Sequence, residues 1–179
     1  MEDPLESTDL LDNWTAFARR LRAAAHVCVL SDYDGTLSPL AATPDAIAGQ
    51  HLFKVIGCST CHVESLVTDR PGAVINGGTY TVPEALGNKI IHPFGDFLLH
   101  DVGTGDGIVQ GGPQDTANKL RTVPLWGLHI KSRFMHDNAS LTLSDAIQRH
   151  AGEAQQVIFR FNGLTSQEQQ QLITFLRSL

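Results

Sequence analysis

The stretch GCSTCHV, residues 57–63, holds two of the chain's three cysteines and sets His62 directly after the second. C-x-x-C-H is the attachment pattern of c-type haem. Thiols at i and i+3 share one helical turn and can form thioethers to the two vinyl groups of one porphyrin. The next residue then presents an imidazole to the iron from the same side. On this reading Cys58 and Cys61 attach one haem c, and His62 is the proximal iron ligand. Three other readings compete. A zinc site needs four ligands; adjacent Cys61 and His62 cannot easily fill two corners of one tetrahedron, and no second C-x-x-C or H-x-x-x-H follows. A redox dithiol expects a βαβ context, and no strong parallel-strand pattern flanks the segment. The third is chance spacing.

Outward from the motif, Thr43 and Pro44 read as the N-cap and first residue of a helix running to about Ile56. Its apolar face is expected at Ile47, Leu52, Phe53 and Ile56, and it delivers Cys58 at its end. From Val63 to Arg121 glycine is dense (NGGTY, GTGDG, QGGPQ) and periodicity scarce, so most of the region is expected to be loop, with a short ordered piece in KIIHPFGDFLLHD. A long irregular stretch of this kind usually wraps or serves a site. Thr142 with Asp145 signals a helix to about Ala151. Thr165 with Glu168 signals a last helix over 166–179, with Leu172, Phe175, Leu176 and Leu179 on one face.

Composition narrows the partners. With 179 residues and 42% hydrophobic content, the chain suits one ordinary domain, or one domain plus a short extension. Net charge is −6 and no basic cluster occurs, which argues against nucleic acid. No apolar run reaches the roughly eighteen residues of a membrane span.

The segments HPFGDFLLHDVGTGDG, KLRTVPLWGLHIKSRFMHDNASLTLSDAIQRHAGEA and LTSQEQQQLITFLRSL extend the pattern. Together with GQHLFKVIGCSTCHV they resemble the carboxyl-terminal haem domain of bacterial di-haem cytochrome c peroxidase-like proteins, and above all their di-haem or thiol oxidoreductase relatives, over about residues 45–179. The resemblance implies a distal iron ligand at the end of TLSDAIQRH, which is His150, with Met135 of RFMHD the second candidate. The plain alternatives are a core-filling Met135 and a solvent-facing His150 at a helix C-terminus. Two imidazoles saturate the iron and suit electron passage rather than substrate binding. Trp126 could line the haem or an electron path, though a tryptophan in an apolar run is more often core. Arg121 could pair with a propionate, a surface arginine being the alternative. His92, His100, His129 and His136 read as structural. Substrate chemistry in the family belongs to a second haem domain, and this sequence has one C-x-x-C-H. The implied partner is therefore a redox protein or a second haem domain.

Before the motif, VCVLSDYDGTLSPL carries D-x-D-G-T after a short apolar strand. With WTAFARRLRAAA and AATPDA around it, residues 9–47 resemble the start of a trehalose-phosphate phosphatase of the haloacid-dehalogenase type. That resemblance implies Asp32 as nucleophile, Asp34 as general acid–base, and Mg²⁺ held by both and a later carboxylate. The plainer reading of the two aspartates is a turn after a strand.

The expected fold is mainly α: a cytochrome c-like haem domain with long glycine-rich loops over 44–179, preceded by a short α/β remnant over 1–43. The expected function is single-electron transfer, with an Mg²⁺-dependent phosphatase or a fusion fragment without function as alternatives. MEDPLESTDLLDNW does not read as a secretory signal, so the chain as written looks cytoplasmic. Covalent haem attachment occurs outside the bacterial cytoplasm, which implies a periplasmic protein if the cytochrome works.

Overall fold

The computed structural model describes residues 43–179 and the backbone at 29–31 and 37–39. The chain divides into two units, Met1–Ala41 and Ala42–Leu179. In the first, β1 (Val29–Ser31) pairs antiparallel with β2 (Leu37–Pro39). Asp32 and Asp34 lie outside the described residues. A haloacid-dehalogenase-type site needs several parallel strands, and every strand pair among the described residues is antiparallel.

The second unit is mainly helical. Helix α1 (Pro44–Ile56) starts where Thr43 Oγ1 accepts the Ala46 amide at 3.1 Å and Pro44 presets φ. It ends because Gly57 adopts a left-handed φ of 102°, and its N–H returns to the Lys54 and Phe53 carbonyls. Arg160 Nη1 also donates to the Ile56 carbonyl at 3.2 Å. The buried face is Ala46, Gly49, Phe53 and Ile56. Ile47, expected on that face, is 57% exposed, and Gly49 sits in the interface instead. The reason is a close helix crossing that only a residue without a side chain permits.

The glycine-rich region is more ordered than expected. Two-residue strands pair antiparallel: β3 (Leu66–Val67) with β6 (Ile90–Ile91), β4 (Val74–Ile75) with β5 (Tyr80–Thr81), and β7 (Leu99–His100) with β8 (Leu120–Arg121). Three further helices follow. Helix α2 (Leu143–Gln148) opens with Thr142 Oγ1 accepting the Asp145 amide at 3.0 Å, and stops short of the expected Ala151. Helix α3 (Gln155–Asn162) was not expected from the sequence. Helix α4 (Ser166–Leu176) carries the predicted capping box: Thr165 Oγ1 accepts the Glu168 amide, and Glu168 Oε2 accepts the Thr165 amide at 2.8 Å. Thr165→Ala removes the Oγ1 arm, leaves the backbone amide to Glu168 Oε2, and should cost about 1 kcal/mol. The check is a lower urea midpoint with an unchanged slope.

Helices α1 and α4 make the most extensive packing of the unit. Phe53, Phe94 and Phe175 meet edge to face with centroids 5.4–6.1 Å apart. Leu172, Phe161 and Leu176 fill in around them. Each such side chain contributes roughly 1.5–3 kcal/mol through burial. Cys58 packs against the same cluster, so the core holds the end of α1 in place. Among the described residues, no helix is long and apolar enough to cross a membrane.

Candidate haem site

Gly57 turns the chain from α1 into a single 3₁₀ turn, Cys58–Thr60, and the His62 amide donates to the Cys58 carbonyl at 3.0 Å. Cys58, Cys61 and His62 thus share one turn, as the attachment chemistry requires. Both cysteines are free thiols and half-buried. Burial pushes Cys58 up to about 12. Cys61 is also raised, first by burial and then by the negative charge of Asp96 and Glu153. A redox dithiol needs a depressed thiol pKa. These environments do the opposite.

His62 is largely enclosed, with Phe53 6.2 Å from its ring centroid. Its Nδ1 lies 3.0 Å from the Phe94 carbonyl oxygen. A carbonyl only accepts, so Nδ1 carries the hydrogen and Nε2 keeps a free lone pair. Burial lowers the proton affinity of the ring, the Phe94 bond opposes that, and the neighbouring His150 lowers it further. The result is a neutral imidazole in the tautomer a metal takes.

His150 repeats the arrangement. It follows α2, is half-buried, and its Nδ1 donates to the Ala146 carbonyl at 2.8 Å, again leaving Nε2 free. The two imidazoles come from segments 88 positions apart in the chain (150 − 62). The same tautomer is set in both.

Residues 38–179 match the family described as "Di-haem oxidoreductase, putative peroxidase". The chain belongs to the di-haem oxidoreductase family. No curated protein and no solved structure matches it. Membership implies haem as the cofactor. It does not extend to Asp32 and Asp34, which precede the matched residues, and the phosphatase resemblance gains no support.

The residues of this family member fit a haem. Two thiols on one turn and two imidazoles with free Nε2 atoms form a donor set suited to thioether attachment and axial ligation. In addition, Thr104 Oγ1 is buried without a partner among the described residues. Its own carbonyl accepts the ring N–H of His136, and the Val102 carbonyl accepts the amide of Ala151, beside His150. An unpartnered hydroxyl there would be satisfied by an acceptor such as a propionate of a bound haem.

Met135 is half-buried at a positive φ of 65°, and its carbonyl accepts the Asn138 amide at 3.3 Å. The two residues after it anchor the turn: His136 as above, and Asp137 through Arg149, whose Nη1 donates to Oδ1 at 3.0 Å while Nη2 donates to Oδ2. Arg149 also reaches the fully buried Ser140. The FMHD segment therefore clasps the residue before His150. Trp126 is exposed rather than core, and its Nε1 donates to the His92 carbonyl at 2.6 Å. Arg121 Nη1 donates to the Phe97 carbonyl at 2.5 Å.

The group most easily missed from sequence is His100. It stands between Asp96 and Glu153, at 2.9 Å from each, and Cys61, Asp96 and His100 place side-chain atoms within 4.8 Å of one another. Glu153 lies 53 positions away, so no local spacing announces the pair.

Proposed function

We propose that this chain carries one covalent haem c through Cys58 and Cys61, with Nε2 of His62 and of His150 as axial ligands, and transfers single electrons. A bound haem supplies one-electron Fe(III)/Fe(II) chemistry. The protein supplies two imidazoles whose Nδ1 atoms are tied to backbone carbonyls, a half-enclosed attachment turn and the hydrophobic shelf of Phe53 and Phe94. The observation that carries the reading is the pair of Nδ1–carbonyl bonds, which leaves both Nε2 atoms free. A six-coordinate iron of this kind has no open position, so electron passage fits better than peroxide turnover. The single C-x-x-C-H makes the proposed partner a redox protein or a second haem domain. The proposed location is outside the cytoplasm, where haem is attached.

The test is expression with an export signal beside a cytochrome c maturation system. The loaded chain should give a low-spin spectrum. His150→Ala should keep the haem mass and turn the spectrum high-spin, whereas Met135→Leu should leave it low-spin. The reverse outcome would make Met135 the distal ligand. A folded chain without haem would overturn the reading.

A further inference from the structure

We propose that His100 is a positioning residue that ties the segment carrying the distal His150 to the segment orienting the proximal His62. This inference rests on the proposed function. The proximal strap is residues 94–96: the Phe94 carbonyl takes the His62 Nδ1–H, and the Asp96 amide donates to the Cys61 carbonyl at 2.9 Å. The distal strap is residues 101–102. The Val102 carbonyl accepts the Ala151 amide, the Asp101 carbonyl accepts the Glu153 amide, both at 2.8 Å, and the Asp101 amide donates to Glu153 Oε1 at 3.1 Å. His100 lies between the two straps and joins them through its ring. Nε2 faces Asp96 Oδ2 and Nδ1 faces Glu153 Oε2, each at 2.9 Å.

Both partners are carboxylates and accept only, so the ring donates from both nitrogens as an imidazolium. Consistent with this, the Glu153 bond and then Asp96 raise the proton affinity of His100 against the effect of burial. Asp96 is kept ionised against burial by the Leu98 amide, His100 and Thr122. Glu153 is held low by His100 and the Asp101 amide, with Lys119 adding positive charge. The Cys61 thiol faces the same cluster. Pairing of His100 with Leu120 across β7 and β8 fixes the backbone beneath the ring. Helix α2 cannot position His150 alone, because it ends at Gln148. The Arg149–Asp137 clasp holds one flank, and the Asp96–His100–Glu153 bridge holds the other.

The test compares haem-loaded wild type, His100→Ala and Glu153→Gln, with Thr165→Ala as a control that weakens the fold away from the bridge. Carbon monoxide can bind the ferrous iron only when His150 leaves, so its limiting rate reads distal-ligand release. Losing two charge-assisted bonds should raise that rate about tenfold in His100→Ala, less in Glu153→Gln, and not in Thr165→Ala. Hydrogen exchange at the Ala151 and Glu153 amides should quicken in parallel. Unchanged exchange would overturn the bridge. Quickened exchange with an unchanged carbon monoxide rate would overturn the positioning role alone. A chain that takes no haem overturns the proposed function and this inference together.

Discussion

Cys58→Ser/Cys61→Ser should abolish covalent haem: the intact mass falls by one haem, and no Soret band survives acid–acetone extraction of the free porphyrin. The expectation follows from chemistry rather than from packing. A serine hydroxyl fits where the thiol stood but forms no thioether, so the fold can persist while attachment fails. His62→Ala is the informative counterpart. Both thiols remain on their turn, so attachment can continue, but the iron loses the imidazole that the Phe94 carbonyl orients. The low-spin spectrum should vanish while the haem mass persists in the molecules that mature. His150→Ala should show the same separation from the other side of the iron. Attachment and ligation are thus distinct functions of neighbouring residues. A variant lacking both cysteines that still gained the haem mass would sink the assignment of the motif.

Much of this site was legible before the fold. The attachment turn is contiguous, so Cys58, Cys61 and His62 were readable from spacing, and the caps at Thr43, Thr142 and Thr165 mark helix starts by local chemistry. The unread parts depend on distant partners. Helix α3 follows Ala154, an N-cap whose side chain caps nothing, and its sequence includes Val157, Ile158, Phe159 and Phe161, a β-branched and aromatic run. The paired strands between Leu66 and Arg121 are two residues each, too short to show alternation. His100 gains its role from Glu153, and periodicity cannot report a contact across 53 positions. Apolar spacing likewise points to Ile47 and not to Gly49, because a missing side chain gives no hydrophobic signal.

Gly49 carries the largest expected effect on stability. Gly49→Ala should destabilise the protein by about 3 kcal/mol, near the upper end of ordinary overpacking costs. Helix propensity alone gives the opposite sign, since alanine is favoured over glycine in a helix interior by about 1 kcal/mol. Geometry decides between them. A Cβ built on Gly49 would lie 2.0 Å from the Gln171 carbonyl oxygen and 2.7 Å from the Phe175 Cβ. The first distance is roughly 1.5 Å short of an ordinary contact. The obstacle is helix backbone, so no rotamer change relieves it; α1 and α4 must separate, and the Phe53–Phe94–Phe175 cluster between them must loosen. Because α1 carries Cys58 at its end, the same displacement should lower the yield of haem attachment. Ile47→Ala on the exposed side of α1 should move stability by less than about 0.5 kcal/mol. Urea denaturation of the three proteins separates the cases. A Gly49→Ala protein as stable as wild type would mean that the helices do not cross this closely.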